Sequence, residues 1–430
     1  MQKEFSIMSK KAFLKGIILS SVIILCFSAF VFAESIKLKS GKTVEGRIID
    51  KTDDSVTIDF QGVPLTYFSE DIEDIDGQSF GPPKEMTPVI QSQPEVSAPE
   101  AQDATLKGGK EYFAQANDLL NKGDLENAIL TFNKAIEMSP DHAESYVGRG
   151  TAYGMKGNID QAISDFNKAI EVNPNYAFAY NNRGYAKLNK GELEQALPDF
   201  NKAIELEPKY ALAYFNRASV YSAKGELDKA LSDFNKAIEA DPKYIGAYNA
   251  RGTILGLKGD PEQAILDFSK AIEVSPGEVE AYLKRGEAYA RNNDLDKASS
   301  DFNKAVEINP NLSFAYDARG TVYGMKGEAE KAFADFNKAI EINPNDFVAF
   351  NNRAFSYSQK GELDKAISDC SKSIEINPDY AQAYENRANA YFSKQDYELA
   401  WQDVHKLDSL GYKVDPEFLK ELKKESGREN

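Results

Sequence analysis

Eight prolines stand at one fixed interval. Pro140, Pro174, Pro208, Pro242, Pro276, Pro310, Pro344 and Pro378 are each 34 residues apart, and a chain that keeps such a period is laying down one structural unit again and again. A ninth unit ends without its proline at Tyr412, so nine units of 34 fill residues 109–414. Proline lacks a backbone N–H and clashes with the preceding turn, so each one marks the end of a helix.

The inside of a unit reads as two helices. The first carries an aromatic at its fourth position (Tyr112, Tyr146, Tyr180, Tyr214, Tyr248, Tyr282, Tyr316, Phe350, Tyr384) and a glycine or alanine four residues on, from Ala116 and Gly150 to Ala388. A small residue there lets a neighbouring helix approach closely beside the ring. A break follows at Gly123, Gly157, Gly191, Gly225, Gly259, Asn293, Gly327 and Gly361, residues that tolerate the left-handed conformation ending a helix. Only Gln395 departs. The second helix repeats alanine, then an aromatic four residues later (Phe132, Phe166, Phe200, Phe234, Phe268, Phe302, Phe336), with Cys370 and Val404 in the last two units. Pro261 suits a first helical turn, whereas Pro198 sits deeper and should cost a hydrogen bond.

This pattern resembles the tetratricopeptide repeat over residues 109–414. The resemblance implies a mainly α fold, with helix pairs stacked into a right-handed superhelix around a concave groove. Asp415 to Leu422 offers a cap, a first-turn proline and an apolar stripe, as expected of a helix covering the last repeat.

One charged series interrupts the apolar pattern. Arginine holds the seventh position in units two to nine (Arg149, Arg183, Arg217, Arg251, Arg285, Arg319, Arg353, Arg387), and the second helix answers with Asp165, Asp199, Asp233, Asp267, Asp301, Asp335, Asp369 and Asp403. The first unit has Gln115 and Thr131, so both members are lost together. An unpartnered charge near a packed face costs several kcal/mol, about 3–5 when one partner is removed. Pairing within a unit satisfies every arginine, whereas pairing with the preceding unit would leave Arg149 facing Thr131. The expectation is a structural ladder; left free, the same cations would suit an anionic ligand.

In the resembled family, six first-helix positions face the groove. They supply Phe178, Asn181, Asn182, Tyr185, Phe215, Asn216, Asn249, Phe314, Asn351, Asn352, Phe355 and Asn386 as candidate partner-binding residues. Aromatics and amides with few charges suit an extended polypeptide, although any single aromatic has packing against the next helix as its alternative role. The sixth-position asparagines Asn182, Asn216, Asn352 and Asn386 resemble the asparagine ladder of O-linked N-acetylglucosamine transferases, interrupted here by Gly148, Ala250, Lys284 and Ala318. The basic clamp by which some relatives hold chaperone C-termini is missing, because Asn117 has Phe113 where that clamp needs lysine.

Three segments precede the repeats. Residues 1–33 read as an export signal, with Lys3, Lys10, Lys11 and Lys15 before an uncharged run that ends in Val31-Phe32-Ala33. Cleavage after Ala33 and retention of residues 16–33 as a membrane anchor are the two readings, and both place the body in the periplasm or outside the cell. Residues 34–77 show five short alternating runs (Ile36 to Lys39, Thr43 to Ile49, Ser55 to Phe60, Val63 to Phe68, Ile72 to Ile75) and resemble a small all-β barrel of the Sm-like or SH3-like kind. Residues 78–108, with Pro82, Pro83, Pro88, Pro94 and Pro99, read as a disordered linker.

Composition narrows the function. A net charge of −17 opposes binding to nucleic-acid phosphates. Cleavage would leave Cys370 as the lone cysteine, so stability must come from packing. His142 and His405 stand apart from any ligand-like cluster, and no nucleophile elbow or phosphate-binding loop occurs. We therefore expect no enzyme, cofactor or metal, but an exported scaffold that binds a protein or peptide in a bacterial envelope assembly. The alternative is a module for an anionic or glycan envelope component.

Overall fold

The computed structural model describes the backbone of residues 101–428 and of six short strands before them, with side chains from residue 108 onward. Residues 1–33, where the export signal was expected, and 80–100 of the expected linker lie outside the described residues.

The strands are β1 (Glu34–Leu38), β2 (Thr43–Lys51), β3 (Ser55–Phe60), β4 (Val63–Phe68), β5 (Ile72–Ile75) and β6 (Gln78–Ser79). All ladders are antiparallel and the order is β4-β3-β2-β1-β5-β6. Five of them fall on the five alternating runs, and β6 is an addition. Closure into a barrel lies outside the described residues.

The helices come in pairs. They are α1 (Ala101–Asn121) with α2 (Leu125–Met138), α3 (Ala143–Met155) with α4 (Ile159–Val172), α5 (Ala177–Asn189) with α6 (Leu193–Leu206), and α7 (Ala211–Ala223) with α8 (Leu227–Ala240). There follow α9 (Ile245–Leu257) with α10 (Pro261–Val274), α11 (Val279–Arg291) with α12 (Leu295–Ile308), and α13 (Ser313–Met325) with α14 (Ala329–Ile342). The series ends with α15 (Phe347–Gln359) and α16 (Leu363–Ile376), α17 (Ala381–Ser393) and α18 (Tyr397–Ser409), and a single α19 (Pro416–Ser426). The repeats divide into two compact units between Ala247 and Tyr248, inside α9.

One boundary differs from the sequence reading. Helix α1 begins at Ala101, so residues 101–108 are helical and not linker. Ala-Gln-Asp-Ala-Thr-Leu-Lys has no proline and several strong helix formers, so it extends the first repeat helix backward.

Each pair closes around its second-helix aromatic. In the first unit Phe132, Phe166, Phe200 and Phe234 are buried; in the second, Phe268, Phe302 and Phe336 are, with Cys370 and Val404 in the last two repeats. The small first-helix residue makes room for the ring: a Cβ added to Gly184 would meet Phe200 at 2.8 Å, and one on Gly286 would meet Phe302 at 2.8 Å. Burying one such ring contributes about 1.5–3 kcal/mol. Helix α6 runs through Pro198 without interruption. The cap behaves as expected: Asp415 receives the Glu417 N–H at 2.8 Å, Pro416 opens α19, and Leu422 is fully buried with Trp401, Val404 and Leu407.

The turn inside each pair shows why the departure at Gln395 matters. At Gly157, with φ 78°, the crossed bonds Gly157 N–H to Gly154 O and Asn158 N–H to Tyr153 O end α3. Gln395 takes the same left-handed shape at φ 66°, with the same crossed bonds from Gln395 N–H to Phe392 O and Asp396 N–H to Tyr391 O. A side chain there crowds its own carbonyl. Gln395→Gly is therefore expected to raise stability by about 0.5–1 kcal/mol, read as a higher urea midpoint at unchanged slope.

Candidate functional site

The arginine series folds into a repeated fork. Arg183 Nε donates to Asp199 Oδ2 at 3.0 Å and Nη2 donates to Oδ1 at 2.5 Å. The same two-pronged contact joins Arg149 to Asp165, Arg217 to Asp233, Arg251 to Asp267, Arg285 to Asp301, Arg319 to Asp335, Arg353 to Asp369 and Arg387 to Asp403. Planar guanidinium and planar carboxylate match in geometry, which makes this the strong form of ion pair. The pairing is within the unit, as the missing partners of unit one implied.

A second bond runs backward. Nη1 of Arg149, Arg183 and Arg217 donates to Asn133, Asn167 and Asn201 of the preceding repeat, each at 2.7 Å. Nη1 of Arg285, Arg319, Arg353 and Arg387 does the same to Ser269, Asn303, Asn337 and Ser371. Each guanidinium also lies over its own fourth-position ring, 5.5 Å from the centroid at Tyr180. These cations are fully engaged. The alternative of an anion or glycan held through them loses the groups it required.

Five of the predicted groove amides are engaged too, with polar side chains of the adjacent repeat. Asn216 Nδ2 donates to Asn181 Oδ1 at 3.0 Å in the first unit; in the second, Asn352 Nδ2 donates to Asp317 at 3.0 Å and Asn386 Nδ2 to Asn351 Oδ1 at 2.8 Å. The fifth position of one first helix thus meets the sixth position of the next. Asn181, Asn216 and Asn351 are buried, and Asn182 is half-buried with its Oδ1 3.4 Å from Asn181 Nδ2. Asn249 is buried, and its Oδ1 accepts no hydrogen bond.

The aromatics divide by exposure. Phe178 is 42% exposed and Leu212, at the same position of the next repeat, 37%; the Phe178 ring stacks 6.3 Å from Tyr210, whose buried hydroxyl has no hydrogen-bond partner. Tyr185, Phe215, Phe314 and Phe355 are half-buried. Phe215 packs on both Phe234 and Tyr244, so it serves packing as well as surface.

Sequence reading missed an acidic group on the same helices. Asp317 occupies the fifth position, where Asn181, Asn249 and Asn351 stand elsewhere, and it is buried. Burial, the charge of Asp346 and that of Asp335 push its carboxyl up to about 8, against the opposing bond from Asn352. Asp346, the N-cap of α15, is raised chiefly by burial and receives the Ala349 N–H at 3.0 Å. The signal was an acid at a position that elsewhere carries asparagine or an apolar residue, shared with Glu385 of the last repeat, whose carboxyl is also raised, chiefly by burial.

The two histidines and Cys370 have packing or hydrogen-bond partners. His142 Nδ1 lies 2.8 Å from Ser145 Oγ, His405 packs on Trp401, and Cys370 is buried with its thiol pushed up by that burial. Among the described residues no cluster of His, Cys, Asp or Glu is suited to hold a metal.

Helix pairs that complete one another's faces, joined by side-chain bonds between neighbours, define a helical-repeat scaffold. Tetratricopeptide-repeat descriptions match residues 143–176, 181–245, 234–265, 279–312, 315–346, 347–380 and 370–402, and a TPR-repeat description matches 116–157. The chain belongs to the tetratricopeptide-repeat family, whose members bind protein or peptide partners. Serine/threonine-protein phosphatase 5 of Mus musculus is 45% identical over 51 residues, 12% of this chain, and the chain spans only 10% of that relative's length. Among solved structures, YrrB, described as a TPR protein with an unusual peptide-binding site, is 33% identical over 43% of this chain and 95% of its own, with a TM-score of 0.38. MamA is 30% identical over 38% of this chain and 96% of its own, at 0.34, and a tetratricopeptide repeat protein from Parabacteroides merdae is 23% identical over 58% and 98%, at 0.46.

Two measurements follow from this geometry. Arg353→Met strands the buried Asp369 and should cost about 3–5 kcal/mol in urea unfolding, whereas adding Asp369→Leu should recover most of the loss. Asp317 has a folded pKa raised above its unfolded value, so its contribution to stability is complete below about pH 4 and is lost as pH rises through about 8. Asp317→Asn should therefore raise the thermal midpoint by a few degrees near pH 9 and change it little near pH 4.

Proposed function

We propose that this chain is an exported interaction scaffold whose first-helix face, the concave face expected of such repeats, binds an extended segment of a partner polypeptide. The carrying observation is the exposure of Phe178 and Leu212 at the same position of two successive first helices. On the second helices, lysines pair with acids of their own turn, as in Lys202 with Glu205 and Lys304 with Glu307. Lysines at the pair turns reach the preceding repeat, as in Lys190 with Asp160 and Lys326 with Asp296. These are solvated pairs of small energetic weight. Leu130 and Leu266 are exposed singly on second helices, whereas Phe178 and Leu212 follow one another along the first helices α5 and α7.

Exposed apolar side chains at equivalent positions of successive first helices suit a strand-like ligand. Of the candidate residues, Phe178, Asn182, Tyr185, Phe215, Phe314 and Phe355 offer surface, while Asn181, Asn216, Asn351, Asn352 and Asn386 hold the helices that carry it. In this reading residues 1–33 direct export to the bacterial envelope, and the strands of 34–77 form a small barrel that serves as a docking or spacer module. Among the described residues no helix is long and apolar enough to cross a membrane.

Phe178→Ala combined with Leu212→Ala tests the face directly, because exposed side chains can be removed without unfolding the repeats. Crosslinking capture of the partner from the native envelope should fall several-fold with helicity unchanged. Undiminished capture would count against this face.

A further inference from the structure

Nine buried aspartates occur among the described residues, and eight of them are the forked partners of arginines. Asp317 is the ninth. Its carboxylate is 7% exposed, and its hydrogen-bond partner is the neutral amide of Asn352, at 3.0 and 3.2 Å. A second acid, Asp346, faces it from the start of α15 and bonds backbone N–H groups and the Ser313 hydroxyl. Among the described residues neither acid has a cation within ion-pair distance. From the start of α17, Tyr380 brings a buried hydroxyl without any hydrogen-bond partner into the field of both carboxylates, its ring held edge-on 4.9 Å from Phe347.

Two carboxylates and an unused phenol hydroxyl at the junction of α13, α15 and α17 form an electron-rich recess lacking its counter-charge. The groups facing it are Asp346, Tyr380, Asn352 and Ser313, with Asp335 behind and already neutralised by Arg319. A metal is a poor fit, since no cluster of three ligating side chains is present among the described residues. A guanidinium or ammonium group needs only two acceptors and a hydroxyl, and its arrival would replace the proton that burial now favours on Asp317. Asp346 and Tyr380 are half-buried, whereas Asp317 is buried.

We infer that the first-helix face of repeats seven to nine selects a basic side chain, lysine or arginine, of the bound polypeptide through Asp317, Asp346 and the Tyr380 hydroxyl. This rests on the proposed reading of the face as a polypeptide site and adds its charge preference. The first unit offers Asn181 at the position of Asp317, so the preference belongs to the second unit alone.

The test uses the full chain against an array of extended ten-residue peptides that differ only at one central position, Lys, Arg, Gln or Glu. Retention of the Lys and Arg sets about tenfold above the Gln set is expected, with the margin abolished in Asp317→Asn combined with Asp346→Asn. Both asparagines can still bond Asn352 and the α15 backbone, and circular dichroism verifies the fold. Equal retention of all four sets, or a margin that survives in the double variant, overturns the inference while leaving the polypeptide site standing. Should no peptide be retained, the polypeptide reading fails, and the recess is judged by carbon-13 titration of the Asp317 carboxyl with argininamide. A downward shift of its titration supports the recess, and an unmoved titration overturns it.

Discussion

Everything in this array depends on a guanidinium that must be held on three sides. The seventh-position arginine reaches across the packed face between two helices, where an unsatisfied charge would be prohibitive. The fork to its own aspartate satisfies it within the repeat, and the bond to asparagine or serine of the previous repeat makes that satisfaction depend on a neighbour. The ring beneath completes the cage. A single repeat therefore cannot fold well alone, and the array stands by nearest-neighbour contacts.

The same logic recurs more weakly on the first-helix face. Amides at the fifth and sixth positions bond between successive repeats and fix the spacing of the helices that present Phe178 and Leu212. Stiffness and recognition are thus divided among adjacent positions of one helix. In the second unit the fifth position becomes Asp317 at one point, and the interrupted amide series gains an acid whose hydrogen-bond partner is the neutral Asn352. Function in a repeat protein is most visible where the repetition fails.

Much of this was legible because period, breaker and packing residue coincide. Pro174, Gly184 and Phe200 announce a helix end, a close approach and the ring that uses it. The arginine partnership was legible by loss, since Gln115 and Thr131 disappear together from unit one. The contact with Asn167 was not, because an asparagine in "DFNKAI" looks like an ordinary surface residue until the preceding helix is placed beside it. The amide pairs escaped for the same reason: Asn181 and Asn216 lie 35 positions apart, one more than the repeat, so no within-unit pattern exposes them.

By itself, then, the sequence determined the number of repeats, the helix boundaries within them and the identity of the buried rings, because these follow from local chemistry at a fixed period. It also determined that each arginine and its aspartate belong together. Only tertiary structure decided which polar side chains are consumed in joining repeats and which remain unused. Burial and hydrogen-bond satisfaction are properties of three-dimensional neighbours, and identical residues at Asn181 and Asn249 end up paired in one case and unsatisfied in the other.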